Sequence, residues 1–359
     1  MIYGHMLEFW IRYQDIWLRD WLYAFLAPIG ATGFLFISGI STTLAYKNNL
    51  QTQKVQMKTM RNVFLLRGLF ILIIALFFNL GVAMVFGGGD LAGIWSWNAL
   101  QTIAIALLLA WPLLKTSKIF RVCVGIVVIL LNQTLLTILT PYNEQSNLLG
   151  IFCHILFNPI DTSYAILTYY GIVIIGSVIG EFIFDLANTE DQPKKEFLLT
   201  NRSIIYICLI GISVFIFGIL FLFPNFIIFN SISSVLYSLG FVTAALALLI
   251  VIEILELIKT KKSYNLLYFY SYYSFTLFLG HNVLLVIFIG MLDAYVTIWI
   301  VVVVFNIILG WLLKTMHDKL GNRASVKANI SILSAFIAMK IEGKSIQEFK
   351  EVEKANKKV

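Results

Sequence analysis

Charge is scarce in this chain of 359 residues. Only 13% of them are Asp, Glu, Lys or Arg, against roughly 25% in a soluble domain. A further 60% are hydrophobic, and the mean hydropathy is +0.88. One soluble core could not hide that much apolar surface. Cysteine is nearly absent. Cys123, Cys153 and Cys208 form an odd trio without framework spacing, which excludes a disulfide scaffold. Six prolines and little low-complexity sequence exclude a disordered chain. The alternating segments of about 10 residues that mark a membrane barrel are also missing. So are an HExxH motif, a Cys–His cluster and any histidine pair at i, i+3 or i+4, so the sequence suggests no metal.

What the chain does have is long apolar runs. Nine reach the ~20 residues of a spanning helix. They lie near 22–46, 63–88, 94–114, 119–140, 163–187, 203–223, 233–257, 265–290 and 294–313. Met1 to Ile11 is apolar but covers only about half a bilayer at ~1.5 Å per residue, and it lacks the flanks of a signal peptide. The expected fold is all-α, a polytopic transmembrane bundle of nine full spans plus a partial first span. On this reading the inner half of the first span lies upstream of Met1. The membrane domain would occupy 1–314 and a cytosolic tail 315–359. Within the tail, Ile330 to Ile341 reads as an amphipathic helix on the membrane surface.

The few charges are sorted by side. Of 26 Lys and Arg residues, all but Arg12, Arg19 and Arg67 fall on one face of this topology. The positive-inside rule makes that face cytosolic and puts the C-terminus there, most simply in the plasma membrane. The net charge of +7 is therefore topology plus attraction to anionic membrane lipids. It calls for no nucleic acid. A homo-oligomer is compatible with the sequence.

Candidate chemistry concentrates on few residues. His5, His154 and His281 map to the outer side, and histidine is the usual general base near neutrality. His317, in the tail, reads as an ordinary juxtamembrane residue. Asp161 follows Asn158-Pro159-Ile160; it suits a helix N-cap and could also orient a histidine. Arg67 lies inside a span, where a guanidinium is a good clamp for phosphate or carboxylate. Glu181, Asp185, Glu253 and Glu256 sit at inner helix ends, positioned to pair with basic loops. Asn79, Gln101, Asn132 and Gln133 need partners in lipid and should face the bundle interior, gluing helices or lining a polar cavity. Gly33, Ser38, Gly39, Ser41 and Thr42 form a small-residue stripe suited to close helix contact. The five Tyr and one Phe between Tyr264 and Tyr273 suit an interfacial aromatic belt.

The order of several short motifs resembles one family. Phe34-Leu35-Phe36-Ile37-Ser38-Gly39-Ile40-Ser41 is similar to the FLFxSGxS segment of heparan-alpha-glucosaminide N-acetyltransferase-like membrane acyltransferases. A basic loop and an Arg-containing span follow, Arg61 to Arg67, then Phe78-Asn79-Leu80. Next come Leu100-Gln101-Thr102-Ile103-Ala104, His154-Ile155-Leu156-Phe157, a Gly-containing span from Gly171 to Gly180, and Ser274-Phe275-Thr276 leading to His281. The resemblance covers roughly 1–310. Each motif alone is weak; their order is the signal.

The resemblance implies transfer of an acyl group, acetyl first, from acyl-CoA to a hydroxyl or amine of a sugar or glycan on the outer face. It implies that an outer histidine, His5, takes the acceptor's proton, with His281, His154 and Asp161 as further catalytic candidates. Lys54, Lys58, Arg61, Arg67, Lys118 and Arg121 could bind the CoA phosphates. Asn79, Gln101 or His281 could stabilise an oxyanion. The competing readings are a transporter or flippase for a polar lipid or glycan precursor, and a non-catalytic membrane scaffold.

Overall fold

The computed structural model describes residues 5–6, 9–52, 55–86, 91–158, 165–188, 203–223, 225–228, 231–254, 265–285 and 288–343. Twelve α-helices are described: α1 Ile16–Thr52, α2 Met57–Phe86, α3 Ala99–Leu113, α4 Lys118–Leu139, α5 Leu148–Phe157, α6 Ile166–Ala187, α7 Ser203–Leu220, α8 Ile232–Ile254, α9 Asn265–Tyr272, α10 Ser274–Leu285, α11 Thr297–Leu320 and α12 Val326–Ile341.

The expected span count is wrong. Among the described residues six helices are long and apolar enough to cross a bilayer: Pro28–Thr52, Met57–Met84, Lys118–Tyr142, Ile166–Ala187, Ile232–Glu253 and Thr297–Ile341. Three of the nine apolar runs fall short. The run at 94–114 spends its start on a 3-10 turn, Leu91–Trp95, and α3 begins only where the Asn98 side chain caps it. Its 15 residues rise about 22 Å, short of a hydrocarbon core of about 30 Å. The run at 203–223 yields Ile204–Leu220, again too short. The run at 265–290 breaks at Tyr273 into α9 and α10. Hydropathy adds up residues and does not register where the helix stops.

The partial first span is also wrong. Helical turns at His5, Met6, Phe9 and Trp10 give way to an isolated bridge between Ile11 and Leu292. Gly290 and Leu292 donate backbone bonds to the carbonyls of Phe9 and Trp10, each at 2.9 Å, and Arg12 N donates to Leu292 O at 2.9 Å. The segment is knitted into a folded unit.

The chain divides into two compact units. The first comprises Met1–Tyr23, Val55–Phe70 and Lys261–Val359. Its core gathers Met6, Trp10, Ile11, Leu18, Leu292, Ala294, Ile298 and Val302. Trp10 is fully buried, edge-on to Phe288 and Phe305 with centroids at 5.1 and 5.5 Å. In the same unit α12 buries Ile330, Ser334, Ala338 and Met339, so one face of the expected surface helix packs on protein. Its end is tied down where the Glu342 carboxylate accepts from Thr59 Oγ1 and Asn62 Nδ2.

The second unit comprises Ala24–Lys54 and Ile71–Thr260. At its centre α6 meets α1 and α4 at small residues. A side chain at Gly39 would strike the Val173 carbonyl, and one at Gly176 would strike the Phe36 carbonyl. The expected stripe on α1 thus lets two backbones touch where dispersion must replace a hydrophobic drive. Nearby, Thr32 and Ser238 share a buried hydroxyl bond of 2.9 Å between α1 and α8.

Candidate functional site

In the first unit two histidines come together. The rings of His5 and His281 have centroids 5.2 Å apart and planes inclined at 35°. His281 lies on α10 and is 3% exposed, while His5 is half-buried. The Nδ1 of His281 faces two backbone carbonyls, Phe278 O at 2.5 Å and Leu277 O at 3.2 Å. Carbonyls only accept, so Nδ1 carries the proton. In the neutral ring Nε2 then presents a bare lone pair, and this buried atom has no hydrogen-bond partner. That is the tautomer of a base. In that neutral form Nε2 accepts and does not donate, so the arrangement favours the base role over the oxyanion role for His281.

Depth follows from the helix. Thr276 Oγ1 donates to Ala324 O at 3.1 Å and accepts from Val326 N at 3.1 Å, which fixes the start of α10 at the basic end of α11, near Lys319 and Arg323. His281 is five residues further along, about 7.5 Å of rise. At the opposite end of α11, the Asp293 carboxylate accepts from Thr297 Oγ1 at 2.5 Å and from Val296 N and Tyr295 N at 2.9 and 3.0 Å. The Thr297 hydroxyl, then these backbone donors, pull its pKa down to about 2. His317 belongs to a packed aromatic box. The rings of Tyr268, Phe269, Tyr272 and Tyr273 stand 5.0 to 6.1 Å from it, and Tyr273 is fully buried. The tyrosine run therefore packs against α11 as well as suiting an interface.

Among the expected donor-binding residues of this unit, Lys58 and Arg61 are exposed and Arg67 is half-buried. None forms an ion pair among the described residues. Lys327 stands close enough to Arg67 for the two cations to repel.

In the second unit the expected cations behave differently. Arg121 is completely buried. Its Nη2 pairs with Glu181, and its Nη1 donates to Ser177 O and Oγ at 3.3 and 3.2 Å. The other carboxylate oxygen of Glu181 takes Lys47 Nζ at 2.5 Å, and Lys118 pairs with Asp185 at 2.5 Å. The basic ends of α1 and α4 thus meet the acidic end of α6, as the sequence suggested. Ser177 was missed; its position four residues before Glu181, on the same helix face, was the available signal.

Asn79 and Gln101 are joined. Their orientations follow from a chain of donors. Gln101 N donates to Asn98 Oδ1 at 2.9 Å, which turns Asn98 Nδ2 toward Asn79 Oδ1. Asn79 Nδ2 must then face Ile94 O, Ser96 O and Gln101 Oε1, at 2.9, 2.8 and 3.0 Å. Asn79 is fully engaged as glue. Gln101 Nε2 is left buried and open, the one amide of the pair available to a ligand oxygen. His154 is half-buried on α5 in this second unit, whereas His5 and His281 belong to the first. Asp161 and Lys54 lie outside the described residues, as do Lys194, Lys195, Arg202, Glu256, Lys259, Lys261 and Lys262.

The family model for the catalytic region of heparan-alpha-glucosaminide N-acetyltransferase matches residues 1–211. The chain belongs to this family. It is thus a membrane protein related to acetyltransferases that act on sugars. No curated protein and no solved structure matches it. The heparan-alpha-glucosaminide N-acetyltransferase match includes His5, Arg67, Asn79, Gln101 and Arg121 and ends before His281. The case for His281 therefore rests on its geometry.

Proposed function

We propose that the protein transfers an acyl group, acetyl first, from acyl-CoA to a hydroxyl or amine of a sugar or glycan, with the His5–His281 pair at the reaction centre. The observation that carries this reading is the buried, unpartnered Nε2 of His281, its tautomer fixed by two carbonyls and its ring 5.2 Å from that of His5. Nε2 accepts the proton of the acceptor O–H or N–H as that atom adds to the thioester carbonyl. The C–S bond then breaks, the acyl group stays on the acceptor, and the proton passes to the departing CoA thiolate. His5 orients the acceptor or shares the proton.

Lys58, Arg61 and Arg67, with Lys54, hold the donor's phosphates. Arg121 and Lys118 already have carboxylates and act in positioning. We assign the basic ends to the cytosol and the Asp293 end to the outside by the positive-inside rule.

The test uses the protein in liposomes with labelled acetyl-CoA and a panel of amino sugars. Product formation should depend on His281 and fall by at least about 100-fold in His281→Ala, in line with loss of a general base. Full activity in that variant would remove His281 from the reaction. Failure of the wild type to consume acetyl-CoA with any acceptor would reject the activity.

A further inference from the structure

Two facing positions of α4 and α6 carry polar atoms that the protein buries and leaves unsatisfied. Asn132 and Thr168 are both 0% exposed. Neither Asn132 Nδ2, nor Asn132 Oδ1, nor Thr168 Oγ1 has a hydrogen-bond partner. Thr43, Thr134, Thr137 and Thr140 each close onto the carbonyl four residues back, the ordinary outlet for a helical threonine. Thr168, in the first turn of α6, has no helical carbonyl four residues back to close onto, and Asn132 uses neither end of its amide.

The register of the helix pair brings these atoms together. Gly125 of α4 lies against Gly171 of α6, Gly171 also meets Ile129, and Arg121 reaches Ser177, so the helices run antiparallel. Asn132 is seven residues beyond Gly125 and Thr168 is three before Gly171. Both steps keep a side chain on the same helix face. Counting at ~1.5 Å per residue from any of these contacts, the two positions fall within roughly one turn of each other. Three open hydrogen-bonding atoms thus converge inside the bundle, where leaving them unmade is costly.

We infer that Asn132 and Thr168 form a slot for a secondary amide of a bound ligand. A trans amide presents an acceptor on one edge and a donor on the opposite edge, so polar groups on two facing helices satisfy it. Asn132 Nδ2 donates to the ligand carbonyl, and Thr168 Oγ1 accepts the ligand N–H. Asn132 Oδ1 remains for a neighbouring ligand hydroxyl or second N–H. Two sources carry this chemistry: the pantetheine arm of a CoA thioester and the acetamido group of an amino sugar. The first source rests on the acyl-CoA reading above.

The experiment is direct binding to the full chain in nanodiscs, with desulfo-CoA and N-acetylglucosamine as separate probes. Asn132→Leu should weaken one probe about tenfold or more, and Thr168→Val should weaken the same probe several-fold, as expected when a ligand amide loses its partner. The probe affected names the source. Thr168→Val is nearly isosteric, so it keeps the test open should Asn132→Leu fail to fold. Unchanged binding of both probes in both variants would mean that ordered water alone satisfies these atoms, and would overturn the slot. Wild-type protein that binds neither probe would overturn it as well. Acyl transfer measured in parallel separates the two readings. Normal transfer with unchanged binding sinks only the slot, whereas an amide-selective loss without any transfer upholds the slot and sinks the acyltransferase reading.

Discussion

Replacing Glu181 by alanine should harm this protein more than replacing the arginine it holds. Glu181 serves two cations, with Arg121 on one carboxylate oxygen and Lys47 at 2.5 Å on the other. Arg121 is 0% exposed, Glu181 12% and Lys47 25%. Without Glu181, the buried guanidinium keeps, among the described residues, only Ser177 O and Oγ. Stranding one member of a buried pair costs about 3–5 kcal/mol. Lys47 is exposed enough to regain water, so the lower end applies, about 3 kcal/mol. In Arg121→Met the carboxylate retains Lys47 and the apolar stem is replaced, so about 1 kcal/mol is expected. The double variant Glu181→Met with Arg121→Met should return to within about 1 kcal/mol of wild type, because apolar replacement of both members of a buried pair is often neutral. The assay is denaturant unfolding of the purified protein in mixed micelles, all four proteins under one condition. Equal losses in the two single variants, or a double variant as damaged as their sum, would refute the argument that an uncompensated buried cation dominates.

Other contacts give sharp contrasts. Gly39→Leu drives a side chain into the Val173 carbonyl and should destabilise the chain by about 3 kcal/mol or more, since backbone cannot yield as a side chain can. Gly30→Ala, with nothing near the added methyl, should leave the melting temperature unchanged or raised; equal losses would mean that the α1–α6 crossing is looser than described. Asn79→Leu leaves Gln101 Oε1 and the carbonyls of Ile94 and Ser96 without their donor. It should cost about 1–3 kcal/mol and speed amide exchange between residues 91 and 101 ahead of other segments. The hydrogen bonds that hold the Asp293 carboxylate at a pKa of about 2 favour its ionised form in the folded state. Its contribution is therefore complete above the unfolded value near 4 and lost as pH falls toward 2. Asp293→Asn should flatten the stability profile in that window, and an unchanged profile would count against this turn.

Local chemistry was legible in the sequence, while tertiary neighbourhood was not. Glu181 and Asp185 were expected to meet basic loops because an acid at a helix end in lipid needs a cation, and Lys47, Lys118 and Arg121 supply it. The small stripe around Gly39 foretold a close crossing because Cβ atoms set how near two backbones come. The burial of Asn79 and Gln101 was legible because an amide in lipid must face the bundle interior, but that the two bond each other was not. The span count failed where a backbone event interrupts an apolar run, at the Asn98 cap and at Tyr273, since neither changes hydropathy.

The histidines show the limit most directly. Position along the chain put His5, His154 and His281 on one side, but it did not say which of them meet. His5 reaches His281 through backbone bonding between residues 9–12 and 290–292, contacts of a kind that leave no periodic trace in either segment. The base-like tautomer of His281 depends in turn on which carbonyls its Nδ1 meets, and those belong to its own helix turn. The identity of a candidate base was thus readable from residue type, its protonation state from one turn of helix, and its companion only from a pairing of segments more than 270 residues apart. A substitution that breaks that pairing without touching either histidine, such as Trp10→Ala in the core that anchors the segment, should therefore abolish any shared work of the two rings while leaving the tautomer of His281 intact.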